Sequence, residues 1–266
     1  MIPLAIAGVG VCAAGMPDWT AARAILRGDA DWRPLPLPKL DIPALPATER
    51  RRVNATSRLA INAAMQAVAG MDDAALAALA SVFASADGDG QVLANALDAL
   101  AQRNVAMSPT LFHNSVFNAP AGYWSIASGA GASSTTVSAG VATFSAALLE
   151  AGIQVTTTGR PVLFVAFDMP FPETLQSLGV AGDAFACALL LAAAGHGGAP
   201  WGRLSRWDQP AGAMTSRADT TAMSARFAGN AAAASLPLLE AIARRAPALV
   251  AVPYLDERCI ELTYSP

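Results

Sequence analysis

The sequence has few of the side chains that usually bind metals or act as nucleophiles. Its 266 residues include two histidines and three cysteines, and Cys12, Cys187 and Cys259 are scattered and odd in number. They form neither a metal-binding pattern nor a disulfide framework. His196 lies between glycines without ligand partners, so we expect it in a turn. We therefore expect no metal and no cofactor, and a reducing compartment, the cytoplasm.

Charged residues are scarce as well, at 14% of the chain against 54% hydrophobic residues. The net charge of −3 provides no basic field that would attract nucleic acid. The apolar runs are interrupted or based on alanine, so none is expected to span a membrane, and the N-terminus lacks the basic start of a signal peptide. A surface poor in charge favours an interface with a partner chain, although alanine alone also raises the hydrophobic count.

The most informative stretch covers residues 133–152 (SSTTVSAGVATFSAALLEAG). A β-branched run ends at Val137, a turn follows over 138–140, and an apolar helix is predicted from residue 141. A strand that breaks into a buried helix can present a nucleophile at the turn, where the helix N-terminus stabilises negative charge. Here the turn carries Gly140, which has no side chain to react, and Ser138 is the nearest hydroxyl.

Strands and helices alternate along the rest of the chain. Strands are predicted at 4–11, 81–85, 135–137, 161–167 and 185–193, with shorter ones at 202–205, 248–252 and 259–263. Helices are predicted at 19–26, 54–70, 74–80, 91–103 and 231–245. This order predicts a layered α/β fold with a mixed five-stranded sheet and a buried central helix.

The glycines of the first strand follow the form of a dinucleotide-binding loop, Gly8-x-Gly10-x-x-Ala13. That motif needs a helix that opens at its third small residue. The next helix instead begins after Asp18 as its N-cap and stops at Gly28. We therefore interpret the glycines as positions where the strand packs closely against another element.

Aromatic residues, 6% of the chain, are concentrated in a segment that we predict to be a loop over residues 112–124, after a helix start at 108–110. Its candidate tunnel or interface residues are Phe112, His113, Asn114, Phe117, Asn118, Tyr123 and Trp124. His113 has the chemistry of a general base, yet no serine or cysteine nucleophile pattern accompanies it. A lone histidine beside asparagine is more often a hydrogen-bonded structural residue.

Three arginines follow Glu49, at residues 50–52, after a proline-rich connector over 34–46. Two interpretations are open. The cluster is either the solvated start of a helix or a contact for an anionic partner, such as a carrier protein that bears phosphopantetheine. From the sequence alone we favour the solvated helix.

The order of these features resembles the thiolase-like β-ketoacyl synthases, and most closely their N-terminal half. The resemblance is carried by LAIAGVGVCAAG as the opening strand and glycine-rich turn, by the helix around Ser57-Arg58-Leu59-Ala60 and by SAGVATFSAALLEAG as the nucleophile elbow. It covers roughly residues 1–200 of a single predicted domain over 1–266, in which 201–266 would be a shortened, divergent part. The segment over 108–126 resembles the chain-length factors of aryl polyene and related pigment clusters.

The resemblance implies a subunit without the usual chemistry, because Gly140 stands where the family has its nucleophilic cysteine. The histidines of the family's C-terminal half also have no counterpart after residue 200. The implied role is a non-catalytic chain-length factor that pairs with an active β-ketoacyl synthase and receives chains from an acyl carrier protein. Phe117 and Tyr123 would be candidate gates of a substrate tunnel, and Ser138 would lie at the tunnel or the subunit contact.

Two alternatives stay open at this point. A malonyl-carrier-protein decarboxylase needs no cysteine, only polar groups that stabilise an enolate, and His113, Asn114 and Asn118 are candidates for them. The other alternative is an acyl-chain-binding protein that has the fold and no partner enzyme.

Overall fold

A computed structural model describes residues 3–102, 107–178, 182–195, 200–208, 214–219, 221–255 and 258–266. The strands are β1 (Leu4–Ala13), β2 (Ala80–Ala84), β3 (Ser134–Val137), β4 (Val162–Asp168), β5 (Phe185–Ala193), β6 (Arg203–Asp208), β7 (Ala248–Pro253) and β8 (Cys259–Ser265). They form one mixed sheet in the order β3-β2-β4-β5-β1-β6-β8-β7. The layered α/β class predicted from the sequence is confirmed.

Helices cover both faces of this sheet. They are α1 (Trp19–Arg27), α2 (Ala47–Arg52), α3 (Ala55–Ala67), α4 (Asp73–Ala77), α5 (Gly90–Ala101), α6 (Pro109–Ser115), α7 (Ala119–Ser128), α8 (Thr143–Thr158), α9 (Thr221–Arg226) and α10 (Leu236–Arg244). Residues of α3 and α7 pack in one hydrophobic core, and residues of α1, α8 and α10 pack in a second core on the opposite face. No described helix is long and apolar enough to cross a bilayer.

The strand predicted at 161–167 is β4, and every one of its residues is buried. It pairs in parallel with β2 and antiparallel with β5, which in turn pairs antiparallel with β1. Burial on both faces explains why β4 reads as a continuous hydrophobic run rather than an alternating one. Because β2, β3 and β4 are parallel, their carboxyl ends meet at the same edge of the sheet.

Close packing of β1 against α3 confirms the interpretation of its glycines. A Cβ atom added to Gly8 would lie 1.8 Å from the carbonyl oxygen of Ala67, and one added to Gly10 would lie 1.9 Å from that of Ala63. The strand also continues through Ala13 instead of opening into a helix. The glycines therefore serve packing and form no dinucleotide loop.

The predicted five-stranded sheet is wrong, because the sheet of the described residues has eight strands. The short C-terminal strands lie where the sequence places them, but β6 adds to the free edge of β1 through Leu4 and Ala5, and β8 and β7 follow. Strand pairing across 200 residues leaves no local pattern, which is why the extension was missed. The strand predicted at 135–137 is β3, at one edge of the sheet.

The predicted loop over 112–124 is also wrong, because most of it forms α6 and α7. Each helix has a proline in its first turn, Pro109 and Pro120, where the missing N–H costs no hydrogen bond. Gly129, at φ +68°, ends α7 as a left-handed C-cap. The prediction for His196 lies outside the described residues.

Candidate functional site

The strand-to-helix elbow predicted around residue 140 is present. β3 ends at Val137, a single 3₁₀ turn covers Gly140–Ala142, and α8 begins at Thr143. The Thr143 hydroxyl accepts a 2.9 Å hydrogen bond from the amide of Ala139 and donates a 2.7 Å bond to the carbonyl of Gly140. Thr143 therefore closes the turn from within and fixes the backbone at the elbow.

Gly140 has a left-handed backbone with φ +54° and is exposed. A Cβ atom built on it would have no heavy atom within 4 Å, so a side chain at this position would project into open space. A strained turn that exposes one side chain is the defining shape of a nucleophile elbow. The backbone shape is present here, and residue 140 has no side chain that could act as a nucleophile.

Ser138, the nearest hydroxyl, is held by the backbone. Its Oγ donates a 2.8 Å hydrogen bond to the carbonyl of Ala86, in the loop after β2. A serine nucleophile instead needs a base that accepts its proton. Among the described residues, the hydroxyl of Ser138 is hydrogen-bonded to no such base. Its position fits a role in fixing the elbow against the end of β2.

A buried carboxyl group lies beneath the elbow, at the end of β4, and the sequence analysis missed it. Asp168 Oδ1 accepts hydrogen bonds from the Ser85 hydroxyl at 2.7 Å and from the Ala86 amide at 2.8 Å. Its Oδ2 has no hydrogen-bond partner among the described residues. Burial raises the pKa of Asp168 to about 6, against the opposing effect of these hydrogen bonds. The available signal was an acid directly after a wholly apolar run.

The predicted aromatic candidates separate into a buried network and an exposed group. Tyr123 is fully buried and donates a 3.1 Å hydrogen bond to Asn114 Oδ1, while Asn114 Nδ2 donates a 2.9 Å bond to the carbonyl of Arg52. The exposed His113 ring stands edge-on to the Tyr123 ring at 5.4 Å. Because the Asn114 amide oxygen and nitrogen are both engaged, its role is to join α6 to α2 and α7.

Trp124 is also buried, and its ring lies 6.5 Å from that of Phe83 in the core. Phe112, Phe117 and Asn118 are exposed. Phe117 packs over Gly88, where an added Cβ atom would lie only 3.2 Å from the ring. The seven candidates of this segment therefore do not converge on Ser138 or Gly140 as one site.

A cavity of about 610 Å³ adjoins the elbow at Val141. Phe227, Leu236 and Pro253 supply apolar walls. Its lining, drawn from described residues, contains no cysteine, histidine, aspartate or glutamate, and Arg217 is its one charged side chain. Such a cavity has room for a ligand and lacks groups for general acid–base catalysis.

Two smaller cavities lie side by side between α3, α5 and α6. Their volumes are about 340 and 170 Å³, and they share Asn54, Thr56, Asp89, Val92 and Asn114 in their linings. The larger one reaches Met169 and Pro170 after β4. The smaller one, which we name the Phe117 cavity, is lined by Phe117 and Phe167.

Exposed apolar side chains are concentrated around β3 in the chain. Nine of the fourteen large hydrophobic residues exposed in the described part of the chain lie between residues 93 and 153, and Val141 at the elbow is 74% exposed. Among the described residues β3 pairs only with β2, so no described strand covers its outer edge. An unpaired strand edge beside apolar side chains is typical of a surface that another chain covers.

The comparisons with solved structures agree with this architecture. A chain of the complex between the ketosynthase ApeO and its chain length factor ApeC from Xenorhabdus doucetiae has 27% identity and a TM-score of 0.73, with 99% of this chain and 100% of that one covered. The ishigamide ketosynthase/chain length factor has 14% identity and a TM-score of 0.71, with 98% of each chain covered.

A third structure, the type II polyketide synthase complex AntDE:AntF of an acyl-carrier protein with its ketosynthase, has 13% identity and a TM-score of 0.75, with 99% of each chain covered. No curated protein matches the sequence. The family model described as "Beta-ketoacyl synthase, N-terminal domain" matches residues 21–251, which extends past residue 200, where the resemblance seen in the sequence ended. The chain therefore belongs to the β-ketoacyl synthase family, to which its sheet, its elbow and its sequence all point.

Proposed function

We propose that this chain is a non-catalytic, ketosynthase-like subunit, a chain-length factor, that assists an active β-ketoacyl synthase in assembling a polyene or fatty-acid-like chain. One observation carries the proposal. Gly140 keeps the left-handed backbone of a nucleophile elbow and has no side chain. Without a thiolate, the acyl-enzyme step of a condensation cannot take place on this chain.

The surroundings of the elbow support the same function. None of the described residues that line the 610 Å³ cavity beside it is acidic, a histidine or a cysteine, so none of these side chains is suited to transfer a proton at neutral pH. Ser138 donates its hydrogen bond to a carbonyl rather than to a base. The described residues around the elbow leave space for an acyl chain and include no group placed to react with it.

The free edge of β3 and the exposed Val141 support an active β-ketoacyl synthase as the partner. Strand edges and apolar side chains that are left open in one chain are stabilised when a second chain covers them. Two of the similar structures are complexes of a ketosynthase with its chain length factor. In our proposal the partner supplies the reactive cysteine, and an acyl carrier protein delivers the chain.

Phe117 is our candidate for the residue that limits chain length. It is 40% exposed, lines the 170 Å³ Phe117 cavity and packs over Gly88, two residues after the Ala86 carbonyl that holds the elbow. A large ring at this place would end a growing chain that enters the cavity. Tyr123 is buried and hydrogen-bonded to Asn114, and this bond joins the two helices on either side of the turn that carries Phe117.

The test is co-expression with the β-ketoacyl synthase encoded nearest to this chain's gene. We expect a stable complex of the two chains, condensation activity in the complex, and a longer or more uniform product than the synthase makes alone. Size-exclusion chromatography with light scattering gives the composition, and mass spectrometry of carrier-bound products gives the length. A chain that stays monomeric and leaves the products unchanged would contradict the proposal.

The same reagents test the alternative function. If the isolated chain were a malonyl-carrier-protein decarboxylase, incubation with malonyl carrier protein would yield acetyl carrier protein by mass. The described structure favours no such activity, because the amide of Asn114 is engaged by Arg52 and Tyr123. We expect the malonyl group to remain intact unless the synthase is added.

A further inference from the structure

The 610 Å³ cavity beside the elbow combines apolar walls with one exposed cation. Its volume lies within the range of about 300–1,000 Å³ that is typical of small-molecule sites. Phe227 and Leu236 are buried and line it from the core side. Arg217 is exposed and is the one charged residue among the described residues of the lining. The cavity therefore matches a ligand that is apolar over most of its length and negatively charged at one end.

Arg217 lies on a segment that the fold holds in place. This segment, residues 214–219, contacts β7 at the edge of the sheet, and we name it the strap. The Ser216 amide donates a 2.8 Å hydrogen bond to the carbonyl of Ala251, and the Ala251 amide donates a 2.9 Å bond to the Ser216 hydroxyl. Directly after Arg217, Ala218 is buried. Because both neighbours of Arg217 are fixed, little backbone ordering is needed when a ligand binds there.

The acid on the strap is engaged by a different arginine. Asp219 forms a 2.5 Å ion pair with Arg244 of α10, and Arg244 also pairs with Glu240 at 2.6 Å. The Asp219 amide donates a 3.1 Å hydrogen bond to the Glu240 carboxylate. The Arg217 guanidinium has neither an ion pair nor a hydrogen bond with any other residue that the structure describes. Its donors are therefore available to an anion from outside the chain.

We propose that the 610 Å³ cavity binds a free carboxylic acid with an apolar chain, whose carboxylate pairs with Arg217 and whose chain packs against Phe227 and Leu236. A guanidinium group matches a carboxylate through two parallel N–H···O hydrogen bonds. A chain that is held as a thioester has no charge at that end. The ligand thus differs from the intermediates of chain assembly, and the inference goes beyond the proposed function.

The assignment makes selectivity for charge the signature of the site. An uncharged chain of the same length would bury the same apolar surface and gain no partner for Arg217. A chain with a cationic end would in addition be repelled by the guanidinium. An apolar cavity without a specific role would instead take up all three chains to a similar extent.

The experiment measures binding of three ten-carbon probes to the isolated full-length chain by isothermal titration calorimetry. The probes are decanoate, decan-1-ol and decyltrimethylammonium, each below its micelle concentration. Arg217→Glu reverses the charge at the cavity. Arg160→Glu is the matched control, because Arg160 is exposed and lines none of the cavities described above. Ala234→Phe, at a partly buried lining position, fills the cavity and leaves Arg217 unchanged.

We expect the parent to bind decanoate about tenfold more tightly than decan-1-ol, as one charged pair would provide. Arg217→Glu should lose this preference and bind decyltrimethylammonium more tightly than the parent does. Arg160→Glu should bind decanoate as the parent does, and Ala234→Phe should bind all three probes more weakly. Equal affinity of the parent for the three probes, or unchanged decanoate binding by Arg217→Glu, would overturn the assignment.

The outcome is separable from that of the proposed function. The titrations contain neither a synthase nor a carrier protein, so a failure to bind decanoate leaves the pairing with a synthase untouched. A chain that forms no complex with the synthase still reports on the cavity in the same titrations.

Discussion

The hydroxyl of Ser85 donates a 2.7 Å hydrogen bond to the buried carboxylate of Asp168 and so joins the end of β2 to the end of β4. The next residue, Ala86, donates its amide to the same oxygen and accepts a hydrogen bond from Ser138 through its carbonyl. The elbow after β3 is thereby linked through one residue to a carboxylate in the core. This arrangement fixes the edge of the sheet where all three parallel strands end.

The first prediction concerns the pH dependence of stability. The pKa of Asp168 is raised by burial from its ordinary value of 3.8 to about 6, so the folded state binds the proton more tightly than the unfolded state does. The contribution of Asp168 to the free energy of unfolding is most favourable below about pH 4, and it is lost as the pH rises through 6. The full loss is roughly 3 kcal/mol in the free energy of unfolding.

Denaturant unfolding of the parent and of Asp168→Asn between pH 4 and pH 8 measures this effect. We expect the difference between the two proteins to change in favour of the asparagine variant by about 2–3 kcal/mol over that range. Asp98→Asn, at an exposed position on α5, serves as the control and should show no such trend. A parallel pH profile for the parent and Asp168→Asn would contradict an elevated pKa.

The second prediction uses the open space at the elbow. Gly140→Cys should gain one thiol per chain that reacts rapidly with a maleimide, because nothing lies within 4 Å of the new Cβ atom. The parent should stay unlabelled under native conditions, since Cys12, Cys187 and Cys259 are buried. The left-handed backbone should cost the variant about 1 kcal/mol of stability.

Labelling is followed by intact mass against time, with urea-unfolded parent as the positive control for its three cysteines. Slow modification of Gly140→Cys, at the rate of the parent, would show that residue 140 is enclosed. In the synthase complex the same measurement reports whether the partner covers the elbow.

The third prediction compares two glycines. Gly10→Ala should lower the free energy of unfolding by about 3 kcal/mol or more, because the new methyl group would lie 1.9 Å from a carbonyl oxygen of α3. The buried strand β1 cannot move away from the core to relieve this contact. Gly122→Ala should raise the free energy of unfolding by about 0.5–1 kcal/mol, because alanine favours the helix α7 and its Cβ atom would have no neighbour within 4 Å. Thermal unfolding of both variants gives the comparison, and equal effects would refute the close approach of β1 to α3.

The fourth prediction tests the face around β3. Val141→Arg should abolish or strongly weaken the complex with the β-ketoacyl synthase, while the chain itself stays folded, because a charge would be buried without a partner. Leu178→Arg is a close control, since Leu178 is 73% exposed against 74% for Val141 and lies far from β3 in the chain. Co-purification and light scattering measure how much of each variant assembles with the synthase. The proposal fails at this point if Val141→Arg assembles like the control.

The fifth prediction concerns product length. Phe117→Ala should lengthen the main product of the complex, because removal of the ring enlarges the Phe117 cavity. Phe112→Ala removes an equally large side chain that is 65% exposed and lines none of the cavities described above, so the products should not change. Mass spectrometry of the released chains is the readout, and identical length distributions in both variants would remove Phe117 as the limiting residue.

Signals within a few residues of each other predicted most helices and strands correctly. Asp18 accepts a hydrogen bond from the Ala21 amide as the N-cap of α1, and Gly28 ends that helix at φ +83°, both as the sequence indicates. The apolar runs became β4 and β5, and the elbow lies at residue 140. Caps, glycine stops and continuous apolar runs depend on neighbours within a few residues, which is why they could be read without coordinates.

Long-range relationships could not be predicted in this way. The pairing of Leu4 with Leu204 joins strands 200 residues apart and determines whether the sheet has five or eight members. Asp168 appeared as the polar end of a strand, and its burial depends on Ser85 and Ala86, which approach only in the folded chain. The prediction for the aromatic segment failed for a further reason, since Pro120, which looks like a loop residue, lies in the first turn of α7.

The left-handed backbone at Gly140 also limits what a single substitution at the elbow can achieve. Glycine adopts this conformation without steric penalty, so the chain holds no strained side chain at this exposed turn. A cysteine placed there would introduce that strain, and no acidic or histidine side chain among the described residues that line the adjoining cavity would ionise its thiol. A reactive thiol at residue 140 therefore requires several coordinated substitutions rather than one.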